Sequence, residues 1–300
     1  MTRLALAVDV GGTKVEAALV EESGRVRAES RLRAQTGRES DAADLRASLG
    51  AVIAHAAAAL VHGDELIGVG IGSAGPIDRE AGVIVPFNLP RVGRFPLKDA
   101  VASAAADALG RETPVVLGHD GGCLALAESW LGATQGAAAS LSMVVSTGIG
   151  GGFVTDGVYA SGASGNAGHL GHVHTDGGEL LEEVAAGPAS VAWAREQGWR
   201  GSSGEDLARS AASGDEIARA AIERSARLVG HALADAATLL DLDVVAIGGG
   251  FSFVADDYVD LVQRALVERA AHDYSRRTRV VRSALGDEGP LIGAAALVLR

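Results

Sequence analysis

The chain of 300 residues is 48% hydrophobic and 21% charged, which is typical of a globular protein with a sizeable core. Its formal net charge of −12 excludes the basic surface of a nucleic-acid-binding protein and disfavours contact with anionic membranes. No apolar run could span a bilayer, the N-terminal apolar run stops at Asp9 without a cleavage site, and the single cysteine, Cys123, permits no intrachain disulfide.

The first half of the chain begins with apolar segments separated by turn residues. They predict an antiparallel meander of three strands, Leu4–Val10, Val15–Val20 and Arg25–Glu29. An acidic start and a periodic apolar face predict a helix over Asp41–His62. The same criteria predict strands at Leu66–Ile71 and Val115–Leu117, and helices at Leu97–Leu109 and Cys123–Leu131.

The second half opens with the same pattern, since MVVSTGIGGGFVTDG resembles LAVDVGGTKVEAALV as a strand, a glycine turn and a strand. The predicted strands there are Leu141–Val145, Phe153–Tyr159, Asp243–Ile247 and Arg279–Arg282, and the predicted helices are Asp215–Leu240, Tyr258–His272 and Gly289–Leu299. We therefore expect two similar α/β domains that flank a cleft. They would comprise residues 1–118, joined by the C-terminal helix at about 288–300, and residues 119–287.

Three glycine turns directly follow buried strands, at Asp9–Lys14, Ser146–Gly152 and Ile247–Gly250. Any one of them could simply connect a hairpin. Glycine also lets consecutive backbone N–H groups approach a phosphate, so three such turns together favour nucleotide binding. Neither a P-loop nor a dinucleotide-binding glycine pattern is present.

Two aspartates are candidates for phosphoryl-transfer chemistry. Asp9 ends a strand and could orient a hydrated Mg²⁺, while Thr13 could donate to a phosphate oxygen. Asp120 lies between an apolar strand and a helix, where a carboxylate can face a cleft and take the proton of an attacking hydroxyl. The ordinary interpretation of Asp120 is an N-cap, and both roles are compatible.

Six motifs in sequence order resemble the ROK family of bacterial sugar kinases and related repressors. They are DVGGTK, GSAGPID with PFNLP, His119-Asp120, STGIGGG, AGHLGH and GGGFS, and they span Ala7 to about Ala296. The resemblance implies an actin-like, ribonuclease-H-type ATPase fold. The DNA-binding members carry an additional N-terminal helix-turn-helix, for which we expect no room because the first strand begins by Leu4.

The resemblance also implies the site. Asp120 matches the catalytic base. The residues that match sugar-contacting positions are Gly75, Asn88, His119, His169, His172 and Glu182. The residues that match ATP-binding positions are Asp9, Gly11, Gly12, Thr13, Lys14, Thr147, Gly148, Gly150, Gly248, Gly249 and Gly250. ATP and Mg²⁺, the latter held through water by Asp9, are the implied cofactors. Self-association as a homodimer or homotetramer is implied as well, and the composition predicts a cytoplasmic protein without nucleic-acid or membrane partners.

The chain departs from the family pattern at its histidines. The family's ExGH motif is His169-Leu-Gly-His172 here, and its cysteine-rich zinc segment is shortened to DGGELLEEVAAG without a cysteine. Zinc held by His172, His174 and an acid such as Glu179 is conceivable, but alternate residues of an extended segment point to opposite faces. We expect no structural zinc, and we expect His169 and His172 to bond sugar hydroxyls while His174 is structural or exposed.

The substrate remains open at the level of the sequence. A histidine in place of the glutamate resembles N-acetylmannosamine kinases, whereas glucokinases usually keep the glutamate, and the family usually has Asn-Asp at 119–120. Two alternatives follow from these departures. One is a sugar-binding sensor without kinase activity, which the retained Asp9, Asp120 and glycine turns oppose. The other is a kinase that uses polyphosphate as its donor.

Overall fold

The computed structural model describes all 300 residues and divides into two compact units. The first contains Met1–Leu131, Tyr159–Ala167 and Leu285–Arg300, and the second contains Gly132–Val158 and Gly168–Ala284. The first unit therefore extends past the boundary expected at Gly118, because the helix that begins at Asp120 packs against the C-terminal helix.

The strands, in chain order, are β1 (Thr2–Val10), β2 (Lys14–Glu21), β3 (Leu32–Gln35), β4 (Asp64–Ser73), β5 (Ile77–Asp78), β6 (Val83–Ile84), β7 (Val115–His119), β8 (Ala139–Val145), β9 (Ile149–Thr155), β10 (Val158–Tyr159), β11 (Val244–Gly248) and β12 (Arg279–Arg282). The α-helices are α1 (Ala42–Ala58), α2 (Leu97–Leu109), α3 (Asp120–Leu131), α4 (Leu181–Ala185), α5 (Gly187–Glu196), α6 (Gly204–Ala212), α7 (Glu216–Leu240), α8 (Tyr258–Arg269), α9 (Asp273–Arg276) and α10 (Gly289–Leu299).

The first unit is built on a sheet of order β3-β2-β1-β4-β7, in which β1, β2 and β3 are antiparallel and β1, β4 and β7 are parallel. The meander is confirmed, but its predicted third strand is wrong. Ala28–Ser30 forms a 3₁₀ turn, and the strand lies at Leu32–Gln35. Ser30 fixes that turn, since its hydroxyl donates to Arg27 O and accepts from Leu19 N.

Side-chain size along β1 explains how helices cover both faces of this sheet. Leu4, Leu6 and Val8 alternate with alanines, and these large side chains pack in the core under α1 and α2. Ala5 and Ala7 face α10 on the other side. The helix lies close to the sheet, because a Cβ atom on Gly70 of β4 would lie 1.8 Å from Ala294 O.

The second unit repeats this organisation. Its sheet has the order β10-β9-β8-β11-β12, with β8 and β9 antiparallel and β8, β11 and β12 parallel. The core forms mainly between the sheet and the long helix α7, whose start is capped by Asp215 Oδ1 accepting from Ala218 N. None of the helices in either unit combines the length and hydropathy that a membrane span requires.

Candidate active site

In the first unit, the sheet brings three sequence-distant motifs to one edge. Asp9 lies near the end of β1, the GSAGP turn follows β4, and His119 ends β7. Because these strands are parallel neighbours, their carboxyl ends meet at the same edge, where α/β proteins commonly bind ligands. A Cβ atom on Gly75 would lie 2.9 Å from His119 Cδ2, so only a glycine lets the turn approach the buried imidazole this closely.

Asp120 directly follows β7 and is the first residue of α3. Its Oδ1 accepts from Gly121 N at 2.6 Å and lies 3.2 Å from His119 Nε2. Its side chain is 45% exposed, and Oδ2 has no partner within the protein. Asp120 is thus the first helical residue and not the N-cap considered for it, because its Oδ1 bonds the adjacent N–H, while its other oxygen is open to solvent.

The glycine turn between β1 and β2 presents free backbone donors. Gly11 N donates to Lys14 O at 2.9 Å, while Gly12 N and Thr13 N donate to no group of the protein. Two consecutive free N–H groups form a concavity suited to an anion. Asn88 lies beside this turn, since a Cβ atom on Gly12 would lie 2.4 Å from Asn88 Cβ.

Asp9 is only 6% exposed. Burial raises the pKa of Asp9 to about 7; the ammonium of Lys14 opposes this shift, while the charge of Asp120 adds to it. Lys14 Nζ lies 3.9 Å from Asp9 Oδ2, beyond hydrogen-bond distance. A buried carboxylate that no cation of the protein hydrogen-bonds is suited to a cation that brings its own water.

Glu16, which the sequence analysis did not single out, lies opposite Asp9 on β2 and is 1% exposed. Lys14, Arg31 and Arg33 all bond its carboxylate. Burial alone would raise the pKa of Glu16, but hydrogen bonds from these three cations outweigh it and lower the pKa to about 2. The sequence signal that could have identified Glu16 is a glutamate within an otherwise apolar strand. Such a residue predicts a buried carboxylate, and a buried charge requires bonding partners.

In the second unit, the turn between β8 and β9 resembles the first glycine turn. Ser146 N donates to Gly148 O at 2.9 Å, which leaves Thr147 N and Gly148 N without a protein acceptor. The turn is shorter than predicted, because β9 begins at Ile149 and Gly150 pairs with Val144 inside the sheet. The predicted turn Ser146–Gly152 is therefore wrong in its second half, and Gly150 contributes a strand position.

The predicted turn at Gly248–Gly250 lies where β11 ends, beside the turn after β8. Gly249 has a φ of +87°, and a Cβ atom there would lie 2.7 Å from Val145 O, so both conformation and space require glycine. Gly250 and Thr147 line one pocket of about 440 Å³. Its other walls are formed by Ser146, Gly187, Pro188, Gly204, Glu205, Ala208, Phe251, Phe253 and Val254.

Glu182 in α4 reaches the turn after β8. Its Oε2 accepts from Ile149 N at 2.7 Å and would lie 2.4 Å from a Cβ atom on Gly148. Sequence-distant motifs thus place a carboxylate directly beside two free N–H groups.

The histidine segment packs on β9 through its glycines. Cβ atoms on Gly168 and Gly171 would lie 2.1 Å and 2.2 Å from the carbonyl oxygens of Gly151 and Ile149. The rings of His169 and His172 stack with centroids 5.6 Å apart, as expected for residues three apart in a 3₁₀ turn.

His174 is exposed, and its Nδ1 lies 2.8 Å from Gly178 O. No group of three or more histidine, cysteine, aspartate or glutamate side chains is placed to hold a metal ion.

Two further residues beside the first-unit site were missed by sequence reasoning. The ring of Tyr159 lies against α3, since a Cβ atom on Gly122 would lie 2.0 Å from its Cζ. Asn166 holds the same chain segment against β5, with Oδ1 accepting from Ile77 N at 2.9 Å and Nδ2 donating to Ile77 O at 2.7 Å. The asparagine of NAGHLGH is the only hint of this connection in the sequence.

Two sheets of matching order, each with a glycine turn after its first strand, define the actin-like ATPase fold. The ROK family model matches residues 5–300, and the chain belongs to the ROK family. The glucokinase of Thermotoga maritima is 28% identical over 98% of this chain and 96% of its own length. The N-acetylmannosamine kinase of Haemophilus influenzae is 29% identical over 87% and 85%.

A ROK family glucokinase from Streptomyces griseus, solved in complex with glucose and AMPPNP, has a similar structure. Its TM-score is 0.79 at 28% identity, with 98% of this chain and 99% of that chain covered. The family and fold that the sequence motifs predicted are therefore confirmed.

Proposed function

We propose that this chain is an ATP- and Mg²⁺-dependent sugar kinase that transfers the γ-phosphoryl group to a hydroxyl of a hexose or an N-acylhexosamine. The 6-hydroxyl is the preferred acceptor in this proposal. The observation that carries it is the free Oδ2 of Asp120, at the sheet edge where β1 runs into a turn with two free N–H groups. The names of the glucokinase and N-acetylmannosamine kinase relatives support the same class of reaction.

The residues present fit a nucleotide with its metal. Two turns, one in each unit, each offer a pair of free N–H groups for phosphate oxygens, at Gly12–Thr13 and at Thr147–Gly148. The pocket that Gly250 and Thr147 line has room for an adenosine. Asp9 is the carboxylate available to a hydrated Mg²⁺, and Lys14 is a cation beside the first turn. Bound Mg²⁺–ATP supplies the transferable phosphoryl group.

Asp120 performs the proton transfer in this proposal. Its Oδ2 accepts the proton of the sugar hydroxyl as that oxygen becomes the nucleophile, while His119 and Gly121 N hold Oδ1 in place. A positioned base of this kind contributes about 10²–10⁴-fold to the rate. The free N–H groups of the turns stabilise the negative charge that develops on the phosphate oxygens.

The side chains proposed for sugar recognition are Asn88, His169, His172 and Glu182. His119 is buried with its Nε2 3.2 Å from Asp120 Oδ1, so in this proposal it acts on the sugar through Asp120. Imidazole both donates and accepts a hydrogen bond, which suits a sugar hydroxyl or an N-acyl carbonyl. One relative phosphorylates glucose by its name and another N-acetylmannosamine, so these two sugars are the first candidates.

The test is an ADP-release assay across a panel of hexoses and N-acylhexosamines, with ATP and with polyphosphate as donors. We expect ADP release with ATP and at least one panel sugar. Sugar binding by calorimetry without ADP release from any sugar would favour the sensor, and transfer from polyphosphate alone would replace ATP as the donor. Metal analysis of the purified protein tests the expected absence of structural zinc, and light scattering tests the proposed homodimer or homotetramer.

A further inference from the structure

A row of charged side chains crosses the sheet of the first unit beside the glycine turn between β1 and β2. Asp9 of β1 pairs with Glu16 of β2, which pairs with Arg33 of β3, so all three side chains project from the same face. The rest of that face is small and apolar where α10 covers it. A charge cluster at this boundary is costly to bury unless every member is bonded.

Within this cluster, Lys14 hydrogen-bonds one carboxylate and forms only a longer ion pair with the other. Its Nζ donates to Glu16 Oε2 at 2.9 Å and lies 3.9 Å from Asp9 Oδ2. Lys14 precedes Glu16 by two residues on β2, so both side chains share a face. An ammonium has three donors, and the Glu16 bond uses one of them.

The bonds from the arginines already satisfy Glu16 as a buried carboxylate. Arg31 Nε donates at 2.6 Å, and Arg33 Nη2 contacts both carboxylate oxygens at 3.1 Å and 3.2 Å. The lysine contact is therefore additional to what burial of Glu16 requires. It holds the ammonium beside the turn, within ion-pair range of Asp9 but beyond hydrogen-bond distance.

We propose that Glu16 is a positioning residue for the phosphate donor, which it serves by holding Lys14 away from Asp9. Asp9 then stays available to hydrated Mg²⁺, and Lys14 stays available to a phosphate oxygen. The inference rests on the proposed kinase function and adds a residue to its donor site. Without the Glu16 charge, the nearest carboxylate for Lys14 is Asp9, and closing the present 3.9 Å separation to a hydrogen bond would compete directly with the metal.

The test measures Mg²⁺-dependent binding of AMPPNP by calorimetry, together with steady-state kinetics. Glu16→Gln keeps the shape of the side chain and removes its charge. We expect the Mg²⁺ concentration that half-saturates AMPPNP binding to rise at least tenfold, the KM for ATP to rise in parallel, and the KM for sugar to change less than twofold. If Glu16→Gln does not fold, Glu16→Asp retains a charge for the arginines but shortens the reach to Lys14, and the same shift is expected.

Asp64→Asn is the matched control. Asp64 is a buried carboxylate in the same sheet that bonds Arg27 through both oxygens, and it pairs with Thr2 at the opposite end of β1 from Asp9. This variant should lower the melting temperature without changing the Mg²⁺ dependence. A role through Lys14 also predicts that Glu16→Gln adds little to the Mg²⁺ shift of Lys14→Met, because the two changes remove the same interaction.

Three outcomes would overturn the inference. One is an unchanged Mg²⁺ dependence in Glu16→Gln with only the loss of stability seen in Asp64→Asn. Another is full additivity of Glu16→Gln with Lys14→Met. A wild-type protein that binds no Mg²⁺–AMPPNP would overturn this inference and the proposed function together, whereas either of the first two in an active wild-type enzyme overturns this inference alone.

Discussion

The backbone of Gly12 lies directly against the side chain of Asn88, so closely that a methyl group on Gly12 would lie 2.4 Å from Asn88 Cβ. Gly12 belongs to the turn assigned to phosphate, and Asn88 to the residues assigned to sugar. The contact therefore couples the two proposed substrate sites within one unit.

The coupling predicts that Gly12→Ala weakens the binding of both ATP and sugar. A Cβ atom essentially never approaches a non-bonded atom within 3 Å, so either the turn or Asn88 has to move. We expect the KM values for ATP and for sugar each to rise at least tenfold in steady-state assays. A variant in which only one of the two KM values changes would show that the sites are independent.

Gly50→Ala is the control for that substitution. Gly50 lies within α1, and a Cβ atom there meets nothing within 4 Å. Alanine is the better helix former, so we expect stabilisation by about 0.5–1 kcal/mol in thermal unfolding, with both KM values unchanged.

Asp120→Asn tests the base. The amide retains the size of the side chain and can still accept from Gly121 N, but it cannot take a proton. We expect kcat to fall by about 10²–10⁴-fold with the melting temperature preserved, and calorimetry should still detect sugar binding. Asp107→Asn, at an exposed position of α2, should behave as wild type. Near-normal turnover by Asp120→Asn would refute the assignment.

The sequence predicted those parts of the site that depend on local pattern. The glycine turns, the strand that ends at His119 and the helix over Leu97–Leu109 all follow from short-range periodicity and turn chemistry. Because β1, β4 and β7 are adjacent parallel strands, their carboxyl ends bring Asp9, Gly75 and His119 to one edge of the sheet.

The remaining parts depend on long-range packing that no local pattern encodes. Glu16 draws Arg33 from β3 and Arg31 from the residue just before it, and that strand was predicted in the wrong place. Glu182 bonds Ile149 across 33 residues, and Tyr159 packs on Gly122 from a segment that returns to the first unit. Gly150 was predicted to lie in a turn because a run of glycines is typical of turns. In the structure this run continues into the strand β9.

Glu182 offers a pair of substitutions that separate recognition from structure. Glu182→Gln retains an oxygen that can accept from Ile149 N, so we expect a normal melting temperature and a raised KM for sugar. Glu182→Ala leaves that N–H without its acceptor, which typically costs about 1–3 kcal/mol, and should lower the melting temperature as well. Equal melting temperatures for the two variants would show that the Ile149 contact contributes nothing to stability.

Asp9 predicts a dependence of stability on pH. Its pKa is raised from 3.8 to about 7 in the folded protein, so the folded state binds this proton more tightly than the unfolded state. The associated stability is fully present below pH 4 and is lost as the pH rises towards 7 and just beyond. Asp9→Asn removes this loss, and we expect it to melt higher than wild type by an increment that grows from pH 5 to pH 8.

The comparison of Asp9→Asn with wild type isolates Asp9 together with the few charged groups that interact with it, because titrations elsewhere occur in both proteins and cancel. Glu16 has its pKa lowered to about 2, so its contribution is lost only as the pH falls below about 4.5, outside the window. AMPPNP binding in the presence of Mg²⁺ should show the opposite trend in wild type and weaken as the pH falls from 8 to 6, since the metal requires an ionised carboxylate. Asp9→Asn should bind AMPPNP weakly at every pH in this range. The Asp9 carboxylate would then destabilise the free protein at neutral pH and be required for binding the nucleotide with its metal. Melting curves of the two proteins that shift in parallel with pH would contradict this account.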